Sequence, residues 1–365
     1  MTKTRTFILL GALYAVAVVL ISARKGNSLE PHLQLASQLL DGTPLYDEPP
    51  SYGTWWPPGA LALIAPFALV ARASVPLAKA LFAVFSVACL LWAVARAPAG
   101  RWTVAALALA AVAKPVQTDF ETLNLNVVLL ALVIATWRDL EAGRDARGGV
   151  WLGIATAVKI FPALLIVYAA LRGRWRTAAW GAGLALALTV VPLVPRGAEG
   201  MGATLVAWAR LTRDGTVAQR GRSQSLMALV DRSGAPRAAG IAANVALIAW
   251  AGWWLRRRRP LFTEMALVTH VAVLATPFVW TQNFVLLFPT WVAILAAPPP
   301  LSALPPRWRR AVLIPIGFVT SGIVAAWSRP VRNAWYAAAA HTWGALAALV
   351  VLALTPPLGD ERHPV

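Results

Sequence analysis

Apolar residues along this chain fall in blocks over residues 6–22, 57–71, 77–95, 102–118, 123–137, 149–171, 178–194, 237–255, 261–278, 283–298, 311–328 and 334–355. A bilayer core about 30 Å thick needs roughly 20 apolar residues in a helix, and no segment shows the strict alternation of a membrane β-barrel. The pattern therefore predicts an all-α polytopic membrane protein with about ten to twelve transmembrane helices, residues 1–365 forming one integral membrane domain. Two segments stand apart. Segment 57–71 is short and carries Pro66, and segment 149–171 is interrupted by Lys159 and Pro162. Either is a candidate to enter and leave on one side as a broken helix, which requires that the freed backbone groups face protein or a polar cavity. Long polar interruptions occur at 23–56 and 195–236. In a compact helical bundle, connections of that length usually carry function.

Charge sets the orientation. Arg256 to Arg259, then Arg307, Arg309 and Arg310, belong on the cytoplasmic side by the positive-inside rule, as do Arg172, Arg174 and Arg176. Both long loops and the turn Pro277 to Phe284 then share the extracytoplasmic face. Simple alternation fails only in the middle, where Arg96, Arg101, Arg138, Arg144 and Arg147 would fall outside if every segment crossed. If segment 57–71 or 149–171 does not cross, the balance is restored and Thr118 to Thr122 also face outward. The N-terminal segment has the basic start and apolar core of a signal peptide, but charged Arg24 and Lys25 follow it where small residues would be needed for cleavage. It reads as a retained first helix of a bacterial plasma (inner) membrane protein. The composition, 59% hydrophobic and 13% charged, excludes an ordinary soluble fold, and the formal charge of +18 sits in short turns rather than in a nucleic-acid-binding patch. The single cysteine, Cys89, has no intrachain partner.

Ionisable groups inside apolar segments are costly and so are functional candidates. Lys159, in TAVKIFPALL, is the sharpest: it pairs with a helix-end carbonyl or a neighbouring acid, or it meets a substrate phosphate. Lys114 lies near a segment end and can snorkel, while His270 and His341 read as buried structural histidines. The first outer loop offers Glu30, His32, Asp41, Asp47 and Glu48. A single carboxylate there suffices as general base if the leaving group departs already charged, and Glu30 is distinguished by its closeness to the first helix and to His32. Trp55 and Trp56 are either interfacial anchors or a face on which a sugar ring stacks. In the second loop Arg220, Arg222 and Arg232 lie outside against the charge trend, where a lipid phosphate would satisfy them. No P-loop, dinucleotide fingerprint, HExxH or cysteine–histidine metal spacing occurs, so neither a metal nor any cofactor is expected.

LLDGTPLYD followed by WWPPGALALIAPFAL, LNLNVVLLALVIA followed by GGVWLGIATAVKIFPALLIVYAALRGRWR, GRSQSLMALVDR, and TPFVWTQNFVLLFP form an ordered set along most of the chain. That set resembles glycosyltransferase family 87, membrane mannosyl- and arabinofuranosyltransferases that use polyprenyl-phosphate sugars. The resemblance implies a C-type membrane glycosyltransferase fold with its site at the outer face. It implies inverting transfer of a sugar, mannose or another hexose ahead of arabinofuranose, from a polyprenyl-phosphate donor to a lipid or cell-envelope glycan. An acid of the first loop would act as base. Arg222, Gln224 and Ser225 fall in the family's second-loop motif and Lys159 on its lysine–proline motif. Two positions depart from the family: Ser28, with Glu30 two residues on, stands where an Asp is usual, and Gln282 and Asn283 stand where a histidine follows the late tryptophan. The expected site is therefore Glu30 as base, with Trp55, Trp56, Lys159, Arg222, Gln224, Ser225, Gln282 and Asn283 binding substrate, and Asp41, Asp47 or Asp119 as alternative bases. A lipid-linked-sugar flippase and a non-catalytic descendant of the enzyme are the other readings.

Overall fold

The computed structural model describes residues 15–46, 56–98, 100, 102–218, 223–296 and 304–356. Among them the chain is built from helices and turns with no strand. Helix α1 covers 15–25. It is followed by α2 (Leu29–Leu40), α3 (Pro58–Ala71), α4 (Val75–Arg96), α5 (Trp102–Ala110), α6 (Ala113–Thr122), α7 (Asn126–Glu141), α8 (Asp145–Val158), α9 (Ala163–Leu171) and α10 (Trp175–Val190). Then come α11 (Gly197–Ala218), α12 (Leu226–Arg232), α13 (Arg237–Trp254), α14 (Leu261–Ala275), α15 (Phe288–Leu295), α16 (Pro306–Ser321), α17 (Arg329–Ala337) and α18 (Ala340–Ala353).

The chain is a helical membrane protein. Val75–Arg96, Trp175–Asp214 and Pro306–Ala326 are long and apolar enough to cross a bilayer, and two bent pairs, α6 with α7 at 120° and α17 with α18 at 54°, qualify when each is taken together. Outward faces carry exposed Leu91, Leu186, Val245 and Ile314, as contact with lipid demands. Much of the long interruption 195–236 is helical: Gly197, at φ +71°, turns the chain into the 22-residue α11.

Arginine pairs fix one end of the bundle. Asp139 at the end of α7 accepts from Arg144 Nε (2.7 Å) and Trp151 Nε1 (2.7 Å) and pairs with Arg147. Arg174 donates to Asp145 (2.7 Å) and to the Leu140 carbonyl (3.0 Å). Buried Glu264 collects Arg172, the Tyr168 hydroxyl (2.7 Å) and the Arg259 amide (2.8 Å). The Arg259 guanidinium stacks over Trp254 at 3.6 Å and donates to the Thr355 carbonyl (2.9 Å). The turns after α7, α9 and α13 and the end of α18 therefore meet at this end.

The opposite end gathers a second set of connections. Ser28 N–H donates to the Thr122 carbonyl (3.0 Å), Arg196 to the Thr43 carbonyl (2.7 Å), and Gln224 N–H to the Val279 carbonyl (2.7 Å). The first loop, the α6–α7 bend, the turn after α10, the second loop and the turn 277–280 thus share one end, as the charge pattern predicts.

Neither exceptional segment makes a net crossing. Helices α8 and α10 run parallel: a Cβ on Gly149 would lie 2.7 Å from Thr177 O and from Trp180 Cβ, and one on Gly153 would lie 2.8 Å from Leu184 Cβ. Two parallel neighbours force the chain to return between them, and α9 is that return, from the break at Lys159–Pro162 back to Arg172. Helix α3 starts beside the tips of α8 and α10, where a Cβ on Gly59 would lie 3.0 Å from Ala157 Cβ, and it ends at Arg72, which bonds Asp41 of the first loop (2.6 Å). With neither segment crossing, Arg96, Arg138, Arg144 and Arg147 all fall at the arginine end.

The small-xxx-small seam of Gly149 and Gly153 gives a test. Gly153→Val overpacks the seam and should lower the thermal unfolding midpoint in detergent, at a cost of about 1–3 kcal/mol. Gly183→Ala, on the same α10 but with open space around it, should leave the midpoint unchanged or raise it.

Candidate functional site

A cavity of about 500 Å³ opens at the loop-rich end, between the α8–α9 break, α11, α13 and the end of α14. Its walls are mostly apolar, with Phe161, Leu164, Trp208 and Ile248 among them, and its polar lining includes Lys159, Asn124 and Asn283. Trp56 and Trp280 add indole faces. No carboxylate lines it, and Lys159 is its only cation among the described residues.

Lys159 occupies the tip of the α8–α9 hairpin, where the chain leaves α8 in an extended conformation (φ −148°, ψ 142°). Its Nζ donates to Asn126 Oδ1 (2.7 Å). Asn126 Nδ2 in turn donates to Asp119 Oδ1 (2.7 Å) and to Asn124 Oδ1 (3.2 Å). Asp119, 1% exposed, also accepts the backbone N–H groups of Asn126 (3.3 Å) and Val127 (3.2 Å). Its carboxylate therefore caps the N-terminus of α7, where helix N–H groups lack partners and negative charge is favoured. Because the Asn126 amide NH2 is held by Asp119 and Asn124, its carbonyl oxygen must face Lys159, and the relay fixes the ammonium at the cavity wall. Leu123, at φ +52°, makes the bend that brings Asp119 and Asn126 together.

Trp56 is buried, with its ring stacked on His32 of α2 at 3.8 Å and 20°. Its carbonyl accepts the Tyr46 hydroxyl (2.8 Å), and burial pushes that phenol above its usual range, keeping it a donor. Asn283 is 5% exposed and lines the cavity, and its Oδ1 has no hydrogen-bond partner among the described residues. A buried amide oxygen without a partner costs free energy, which a hydroxyl or amide of a ligand would recover.

The other expected residues that the structure describes do not line the cavity. Glu30 sits in the first turn of α2 with its side chain 59% exposed, held by Lys79 Nζ at 2.6 Å, and lines no part of it. Gln224 and Ser225 hold its wall: Gln224 Nε2 donates to the Tyr336 carbonyl (3.0 Å), and Ser225 caps α12 while its hydroxyl donates to the Pro277 carbonyl (3.0 Å). Gln282 is buried beside Asn283 in the 3-10 turn Thr281–Leu287. Trp55 and Arg222 lie outside the described residues, as do Asp47, Glu48 and Arg220. Asp41 is paired with Arg72, and Arg232 donates to the Ser223 carbonyl. His270 contacts the Thr290 hydroxyl (3.1 Å), and His341 stacks on Phe284, in keeping with structural roles. Sequence reasoning missed Asn124 and Asn126; the signal was there in LNLN, two amides placed just before an apolar helix.

Residues 55–277 match the model of glycosyltransferase family 87. The chain belongs to that family. Membership makes it a glycosyltransferase by class, and the match spans Trp56, Asn124 and Lys159, whereas Glu30 and Asn283 lie on either side of it. No curated protein and no solved structure gives a significant match. In this family 87 chain the relay predicts an order of stabilities. Asp119→Ala, which strips three donors and leaves Lys159 facing a disordered amide, should destabilise by about 3 kcal/mol or more, read as a lower unfolding midpoint in detergent. Glu30→Gln, at an exposed position, should shift it by about 1 kcal/mol or less.

Proposed function

We propose that the protein transfers a sugar, mannose or another hexose, from a polyprenyl-phosphate donor to a lipid or cell-envelope glycan at the outer face of a bacterial plasma membrane. The observation that carries this reading is the cavity in which a relay-held lysine, unopposed by any carboxylate among the described lining residues, is joined by Asn283 and two indoles within apolar walls. An anionic phosphate suits Lys159, an isoprenoid suits the apolar walls, and a hydroxylated ring suits Trp56, Trp280 and Asn283. On this reading the arginine-rich end is cytoplasmic, and ten crossings (α1, α4, α5–α6, α7, α10, α13, α14, the 3-10 turn with α15, α16 and α18) place both termini inside.

The proposed step is inverting. Glu30 takes the proton of an acceptor hydroxyl, whose oxygen attacks the anomeric carbon. The bond from that carbon to the phosphate oxygen breaks, and the electron pair leaves on the polyprenyl phosphate held by Lys159. No further activation is needed, since the leaving group is an anion. Glu30 shares the first turn of α2 with His32, whose ring braces Trp56, and this supports it over Asp119, whose oxygens are occupied by the α7 cap. The broken α8–α9 hairpin is also a transporter feature, and the assay separates the two readings. Membranes lacking and containing the protein, given labelled polyprenyl-phosphate mannose and a crude lipid acceptor, should differ in label incorporation; donor movement across the bilayer without incorporation would favour the flippase. Lys159→Met should raise the donor KM about 10- to 100-fold, the worth of one charge-assisted hydrogen bond. Glu30→Gln should lower kcat about 10²- to 10⁴-fold at unchanged donor KM; full activity would exclude Glu30 as the base.

A further inference from the structure

A second cavity, of about 400 Å³, lies on the other side of α6, between α1, α6 and the 3-10 turn Ile323–Ala326. Its chemistry differs from that of the first. Lys114 and Glu121 both line it, with Lys114 Nζ 3.5 Å from Glu121 Oε2, and Gln117 donates to Glu121 Oε1 (3.0 Å). The Lys114 side chain is 8% exposed and Glu121 27%. One long hydrogen bond is thus all that the described residues give an ammonium with three donors. Lys25 Nζ also stands 3.8 Å from Glu121 Oε1, so Lys114 and Glu121 form an ammonium and a carboxylate side by side with a second lysine at the carboxylate's other oxygen. They suit a hydroxyl, which accepts from the one and donates to the other. The remaining wall, from Ala17, Val18, Ile21, Ile323 and Ala326, is apolar.

The two cavities meet at one short stretch of backbone. Glu121 lines the second and Asn124 the first, three residues apart across the bend at Leu123. The Thr122 carbonyl on that partition accepts from Ser28 N–H, which ties the first turn of α2, with Glu30, to the boundary. We infer that the second cavity is the seat of the acceptor: a neutral, polyhydroxylated head group reads Lys114, Gln117 and Glu121, and its alkyl part lies against α1 and the Ile323–Ala326 turn. This rests on the transfer reaction proposed above. It adds that donor and acceptor approach from opposite sides of the α6–α7 bend.

The test uses the full chain in lipid nanodiscs with an alkyl mannoside carrying a diazirine in its chain, beside a phosphocholine of the same alkyl length and diazirine position. On irradiation the mannoside should label peptides containing residues 113–121 or 323–326, with about tenfold preference over the sugar-free probe. Ala326→Trp, which fills the cavity from its exposed rim, and Gln117→Leu should each cut that labelling about fivefold at unchanged yield and unfolding midpoint. Equal labelling by both probes, labelling confined to the Lys159 cavity, or labelling indifferent to both substitutions would overturn the assignment. Where transfer is measurable, Ala326→Trp should raise KM for the alkyl mannoside and leave the donor KM unchanged; a raised donor KM alone would also overturn it. Headgroup-dependent labelling without any sugar transfer would refute the reaction and leave the cavity's ligand class standing.

Discussion

A lysine on a mostly apolar cavity wall must be paired, and much of this molecule follows from how Lys159 is. Its partner is a neutral amide rather than an acid, so its charge is not cancelled at the cavity wall, while Asp119 compensates it from one residue further away. That arrangement requires Asp119, Asn124 and Asn126 to converge, which requires the left-handed turn at Leu123 and the sharp bend between α6 and α7. It also requires Lys159 to sit at the tip of a hairpin, which the parallel packing of α8 on α10 through Gly149 and Gly153 makes possible. The helices on the far end are locked by a different device, buried carboxylates at Asp139 and Glu264 that each collect several arginine and ring donors. One end of the bundle is thus tied by neutralised charge, and at the other Lys159 faces the first cavity with no carboxylate among the described residues that line it.

The same contrast divides the two cavities. The first offers a cation without an acid among its described lining residues, indole faces and long apolar walls. The second offers a cation with its acid and a short apolar rim. On the proposed reading, a phosphate-linked isoprenoid and a hydroxylated amphiphile are the two ligands that the transfer brings together. The partition between them is narrow because α6 ends, bends and restarts as α7 within three residues, Leu123 to Leu125.

Much of the architecture was legible in the sequence because apolar length and arginine placement are strong, additive signals. Pro66 and the Lys159–Pro162 break marked two exceptional segments: α3 begins and ends at the loop-rich end, whereas α8 and α9 form a hairpin that leaves the arginine end and returns to it. Lys159, Trp56 and Asn283 were found from residue type and position, and they share one cavity. What the sequence hid was conformational. Asp119 reads as one free acid among several until the bend at Leu123 turns it into a helix cap, and the hydrogen bonds of Gln224 and Ser225 to the Tyr336 and Pro277 carbonyls come only with the fold. Nor could spacing alone show that the polar 195–236 stretch holds a 22-residue helix lending Trp208 to the site.

The central claim is that Lys159 holds the phosphate of a prenyl-linked donor. An experimentally determined structure of the full chain with a bound polyprenyl phosphate tests it most directly. The account predicts a phosphate oxygen within hydrogen-bond distance of Lys159 Nζ, with the prenyl chain leaving between Ile160 and Ile248 and the Asn126–Asp119 relay intact. A phosphate seated instead at Lys114, or bound with Lys159 still directed only at Asn126 and no contact between them, would contradict it.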